Sequence, residues 1–206
     1  MTTDFAPGRE LTEHERRSAA WHEAGHVVAT IVLGAPIGIP LHRAVVLKAL
    51  DDRMLGGFVE HVPDYQARKP RTSPMEIPPK DRRYFAEYLR IVGVIAYAGA
   101  AAQFPSDGQG WWSHAEASQC RDDRSGFVAA AAHVGWIRSD YCTSTLRRAR
   151  LFVDQHWGAV LAVARALYDH SELSGIELRE IVERAEPAWN WMRPTGSDRE
   201  GPTCWA

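Results

Sequence analysis

The chain is predicted to fold as a mainly α domain of about five helices, with a small β-hairpin or ribbon after the first helix. Two observations carry that expectation. Apolar residues recur at three-and-four spacing through most of the 206 residues, whereas only two short runs, Arg43–Leu50 and Gly57–Val62, are β-prone. Those two runs flank Asp51-Asp52-Arg53, a polar connection of the kind that joins the arms of a hairpin. A hydrophobic share of 45% and a net charge of −2 suit one globular domain.

Taken in order, Thr12 and Glu15 form a T-x-x-E capping box that opens a first helix, Glu13–Leu33, closed by Gly34. Ala35–Pro40 is a turn-rich bridge into the ribbon, which Pro63 ends. Pro63, Pro70, Pro74, Pro78 and Pro79 then keep the segment up to residue 79 out of regular structure. From Lys80 the series Phe85, Leu89, Val92, Ile95, Ala96 and Gly99 predicts a long helix to Gln103, and Gly93, Ala96, Gly99 and Ala100 allow a close neighbour. Pro105–Ser113 is a glycine-rich loop carrying Trp111 and Trp112. His114–Trp136, Thr143–Asp169 and Ser174–Ala185 are the remaining predicted helices, the last capped by Ser174. The expected division is an N-terminal arm, 1–11, one domain, 12–186, and a Pro-, Gly- and Trp-rich tail, 187–206.

Several function classes are disfavoured. The run Ile91–Phe104 is shorter than the roughly 20 apolar residues of a membrane span, so no membrane partner is expected. Met1–Glu10 lacks the basic start and apolar centre of a secretory signal, so the mature chain is expected to begin here and to be cytoplasmic. Cys120, Cys142 and Cys204 are odd in number and without CxxC spacing, which points to reduced thiols. Lysine occurs only at Lys48, Lys69 and Lys80, none after a glycine, so there is no GxxxxGK[ST] phosphate loop. The near balance of charge makes nucleic acid an unexpected partner.

The residues that carry chemistry are His22-Glu23-Ala24-Gly25-His26, an HExxH motif on the first helix. At about 100° per residue, two histidines four apart project from one helix face and can reach a single metal ion. Zn2+ held by His22, His26 and a third protein ligand leaves a place for water, and Glu23 beside it is the general base for hydrolysis of a peptide bond. Chance alone produces this pentapeptide in a few per cent of shuffled chains. Its setting between Ala19-Ala20-Trp21 and Val27-Val28 adds weight, because polar side chains there are costly unless paired or metal-bound. The longer HExxHxxGxxH pattern is absent, since Ala29 and Val32 stand where Gly and His are needed. Spacing leaves Glu60, Asp107, His114 and the pair Asp122–Asp123 open as third ligand.

The run Ala19-Ala-Trp-His-Glu-Ala-Gly-His-Val-Val-Ala29 resembles the "AYHEAGHAxV" segment of the peptidase domain of FtsH-type membrane-bound AAA+ zinc proteases. Pro40-Leu-His-Arg-Ala-Val-Val-Leu47 is similar to that family's "P-x-H-K-V-T-I" strand, and Leu55-Gly-Gly57 to the "LG" opening its partner strand. Tyr97-Ala-Gly-Ala-Ala-Ala-Gln103 resembles the "GGRxAE" end of the next helix, and Ala149–Trp157 with Leu161, Ala164, Leu167 and Leu173–Leu178 resembles the closing helices. The similarity runs over residues 12–186. It implies a zincin-like helical domain and a third zinc ligand that is an aspartate opening a helix, with a small residue four positions on. Asp122 with Gly126 fits that pattern, and Asp123 with Phe127 is the alternative. Gln103 and Ala100 replace the family's acid and arginine, so an ion pair or a contact behind the ligands is expected to be missing. The transmembrane helices and ATPase module have no counterpart.

The expected function is therefore that of a stand-alone zinc metalloendopeptidase of HExxH type, acting independently of ATP on peptides or flexible polypeptides. The competing expectation is a non-catalytic, zinc-stabilised interaction module. A homo-oligomer and a separate ATPase partner are both open. His42 and His61 on the ribbon, Trp111 and Trp112, and the ribbon edge Gly57–Val62 are candidate substrate contacts, while Arg147, Arg148 and Arg150 suit a solvated helix face.

Overall fold

A computed structural model describes residues 8–49, 56–61, 82–103 and 139–187, excepting the side chains of 61, 82–87 and 139–143. The expected proline-rich loop, tryptophan loop, His114–Trp136 helix and C-terminal tail lie outside the described residues, apart from Pro187 at the start of the tail.

Helix α1, Glu13–Ala29, starts at the predicted capping box: the Glu15 backbone N–H donates to Thr12 Oγ1 at 3.2 Å and the Thr12 N–H to Glu15 Oε2 at 2.8 Å. Two of the orphan donors of the first turn are thereby satisfied. The α geometry ends at Ala29 rather than at Leu33. Thr30–Gly34 widens into a π turn and Ala35–Ile37 tightens into a 3-10 turn. This change of pitch begins on Thr30-Ile31-Val32, three β-branched residues that lower helix propensity. Gly38 then takes φ +78°, where a side chain would strain the backbone, and turns the chain toward the sheet.

Strand β1, Leu41–Val46, pairs antiparallel with β2, Gly57–His61, in the register Val46 to Gly57 and Arg43 to Glu60, with a shift between Leu41 and Arg43 that leaves His42 in a bulge. Ala44 and Val46 are buried while Arg43 and Val45 are less so, the period-2 pattern of a sheet covered on one face. The ribbon gains a third strand that the sequence reading lacks. β3, Glu172–Ser174, lies antiparallel on the other side of β1, giving the order β2-β1-β3. Three residues show no alternation to read, and the strand exists because β1 offers its second edge.

Helix α2 spans Arg82–Gln103. The expected single helix Thr143–Asp169 is two, α3, Ser139–Gln155, and α4, Trp157–His170, separated at His156 with φ −107°. Helix α5, Gly175–Ala185, is capped by Ser174, whose hydroxyl meets the Glu177 backbone and carboxylate in a second capping box. The described residues thus hold five α-helices and one small antiparallel sheet. None of these helices is long and apolar enough to cross a membrane.

Helix α1 is the centre of the packing, with α2 and α4 against it and the sheet at its side. Val27, Val28, Tyr97, Val160, Val163 and Leu167 are buried at this junction. Each such side chain contributes about 1.5–3 kcal/mol through removal from water. Trp21 of α1 stacks on Trp157 of α4, centroids 4.9 Å apart and planes within 8°. Between α1 and α2 the approach is so close that a Cβ on Gly25 would overlap the Ala98 carbonyl. The small residues of Ala98–Ala102 make that approach available, and it carries α2 across the histidines.

Candidate metal centre

His22, Glu23 and His26 lie on the part of α1 that faces α2 and the start of β2. Glu23 and His26 are buried, 5% and 8% exposed, and His22 is half-buried. The imidazoles converge: their Nε2 atoms stand 3.0 Å apart, with ring planes at 75°. The i, i+4 spacing brings the two rings to one face, and their other nitrogens are held from α2.

His26 Nδ1 donates to the Ile95 carbonyl at 2.7 Å. A carbonyl oxygen only accepts, so the proton of His26 sits on Nδ1 and its Nε2 presents a lone pair. His22 Nδ1 lies 3.0 Å from Gln103 Oε1, and Gln103 Nε2 donates to Ser18 Oγ at 2.6 Å. In this amide orientation His22 also carries its proton on Nδ1, and two lone pairs face each other. That arrangement repels unless a cation lies between them. Two nitrogens at about 2.0–2.1 Å from a tetrahedral zinc are about 3.3 Å apart. The observed separation is short of that by a few tenths of an ångström, a small rotation of either ring, so the pair fits such an ion.

Two glycines shape the rest. The His26 ring covers Gly99 on α2, where a Cβ would overlap Nε2. Gly57, the first residue of β2, faces Glu23: a Cβ there would stand 2.8 Å from Glu23 Cγ and 3.0 Å from its Oε1. The carboxylate is thus confined between its own helix and the sheet, next to the histidines in sequence.

The expectation that a contact behind the ligands is missing is corrected by Gln103. The residue is not an acid, but its amide oxygen lies 3.0 Å from His22 Nδ1, and an amide oxygen accepts from an imidazole N–H as a carboxylate does. Sequence reading had no signal for Ser18, and for Gly99 only its small size.

Of the third-ligand candidates, Asp122, Asp123, Asp107 and His114 lie outside the described residues. Among the described residues no three His, Cys, Asp or Glu side chains gather as a metal set. Glu60 is engaged elsewhere. Arg43 Nε bonds its carboxylate at 2.5 Å and holds its pKa below the usual carboxylate value, while Arg43 Nη1 reaches Glu172 at 2.7 Å, so one guanidinium ties all three strands. His42 is exposed at its bulge, and the His61 side chain, Trp111 and Trp112 lie outside the description. Arg147 and Arg148 are exposed, whereas Arg150 is fixed to the Ala101 carbonyl at 3.0 Å and to Asp154.

No family model matches the chain, and a search of curated proteins finds no match to it.

Proposed function

We propose that this chain is a zinc-dependent metalloendopeptidase with a zincin-like fold, a peptidase domain of the kind its sequence resembles in the FtsH-type proteases. His22 and His26 hold the metal through Nε2, Asp122 closes the site with Asp123 as the alternative, and Glu23 is the general base. The observation that carries the reading is the convergence of two imidazoles, each held at Nδ1 by an acceptor, beside a buried glutamate.

Zinc bound here supplies a polarised water whose pKa lies near neutrality. Glu23 is the residue that would accept a proton from water on a carboxylate oxygen and return it to the leaving amine. Its confinement against Gly57 keeps the carboxylate from swinging away, and its burial excludes bulk water from the proton it carries. With a metal bound, the Ile95 carbonyl and the Gln103 amide oxygen would hold each ligand's proton on Nδ1, away from the metal.

The substrate class is an extended polypeptide. In the order β2-β1-β3, β2 pairs with β1 on one side and no strand among the described residues covers its other edge. A peptide added there as a further strand would bond through its backbone, which selects for extended or loosely folded chains. β2 begins at Gly57 against Glu23, so a chain paired along that strand would start beside the base.

The test pairs metal analysis with cleavage. Wild-type protein is expected to hold about one zinc per chain and to cut an unfolded substrate such as casein. Glu23→Gln is expected to keep the zinc and lose the cleavage. Equal cleavage by both proteins would falsify the peptidase assignment, and zinc bound without any cleavage favours the interaction module.

A further inference from the structure

We propose that Gln103 is a positioning residue that supports His22 in both its metal-free and its metal-bound tautomer, and thereby makes the metal exchangeable. The proposal rests on the metal reading of His22 and His26. Gln103 is the last residue of α2, and its amide bridges one turn of α1: Oε1 lies 3.0 Å from His22 Nδ1 and Nε2 lies 2.6 Å from Ser18 Oγ. Its backbone is well anchored, because Ala100, Ala101 and Ala102 are buried and Arg150 donates to the Ala101 carbonyl.

The chemistry of an amide decides what this bridge does. With Oε1 toward His22, Nδ1 carries the proton and Nε2 offers a lone pair to a metal. With the amide turned by 180° about its terminal torsion, the NH2 group donates to Nδ1 and Ser18 donates its hydroxyl proton to Oε1. His22 then carries its proton on Nε2 and donates it to the His26 Nε2 lone pair, which the Ile95 carbonyl fixes in place. The second arrangement removes the repulsion between the two nitrogens without any metal. A serine hydroxyl is the right partner because it donates in one state and accepts in the other. A carboxylate at residue 103 could only accept, so it would favour the metal-bound tautomer alone and hold the metal more tightly.

Zinc competition against a chelator, at one fixed pH for all variants, reads the effect without reference to activity. Gln103→Glu is expected to tighten zinc roughly tenfold, and Gln103→Leu to weaken it by roughly 10–100-fold. Ser18→Ala, a milder change that keeps the fold if Gln103→Leu does not, is expected to weaken it by a few fold. Imidazole nitrogen shifts supply the second readout: His22 is expected to carry its proton on Nε2 in the metal-free wild type and on Nδ1 once zinc is bound. A merely structural role would leave that tautomer change and the rescue by glutamate untouched. Equal zinc affinity in wild type, Gln103→Glu and Ser18→Ala overturns the role of Gln103 and leaves the metal reading standing. Wild type that binds no zinc overturns the metal reading and the proposal together.

Discussion

The imidazole of His26 rests directly on Gly99, one helix across, with no room for a side chain between them. Alanine at a helix-interior glycine ordinarily stabilises by about 1 kcal/mol through propensity. Here the sign reverses, because the added methyl overlaps Nε2 and must push the ring out of line. Gly99→Ala is expected to lower stability by about 1–3 kcal/mol, as an overpacked core does, and to abolish zinc binding. Urea unfolding and metal analysis measure the two effects. A stabilised variant that still binds zinc would show that His26 does not occupy this position.

Gly57→Ala separates the base from the ligands. A methyl there meets Glu23 Cγ and the Val45 carbonyl, both at 2.8 Å, and Glu23 Oε1 at 3.0 Å, so its nearest neighbours are the base and the sheet. Glu23 is therefore displaced while the metal pair stays. The expected result is unchanged zinc stoichiometry with cleavage reduced on the order of 10²-fold, the cost of misplacing a catalytic group by about 1 Å. Loss of zinc along with activity would contradict the placement of Glu23 against β2.

What could be read in advance follows the range of the interactions. The Thr12–Glu15 capping box, the Ser174 cap, the β1–β2 pairing and the histidine pair arise from contacts between residues a few positions apart, or across one hairpin, and all are present as expected; that Glu177 completes a second box is added by the structure. β3 depends on β1 from the far end of the chain, and nothing local marks Glu172–Ser174 as extended. The break at His156 lacks a proline, and the nearby Gly158 is a weak stop, so a continuous helix was the natural expectation. Gln103 differs in residue type from an acid, so the sequence suggests a loss, yet its amide oxygen stands at hydrogen-bond distance from His22 Nδ1.

The first turn of α1 predicts an acid-sensitive element. Bonds from Arg9, then from the Thr12 backbone, lower the Glu15 pKa from 4.5 to about 2. A carboxylate with a depressed folded-state pKa adds stability above its unfolded value and loses it as pH falls toward the folded one. The contribution of Glu15 is thus expected to be complete above about pH 4.5 and to disappear between there and about pH 2. Glu15→Gln should melt below wild type at pH 7, and the gap should close across that window. A gap independent of pH would mean that the capping geometry, which glutamine also permits, outweighs the charge.

His156 shows how the break between α3 and α4 is secured. Its ring is 2% exposed, lies 4.4 Å from the Phe152 ring centre, and its Nδ1 is 2.7 Å from Glu186 Oε2 at the end of α5. One side chain therefore joins three helices, and the junction sits behind α4, which supports α1 through the Trp157–Trp21 stack. Glu186→Ala strips the buried ring nitrogen of this acceptor, a loss of about 1–3 kcal/mol. Glu186→Gln keeps an acceptor oxygen at the same reach and is expected to cost less. Zinc affinity at temperatures well below the melting point should not change in either variant. Urea midpoints ranked wild type, Gln, Ala, with one common zinc affinity, are the expected outcome. A zinc affinity that fell in step with the midpoint would instead make the α3–α4–α5 junction part of what positions the histidines.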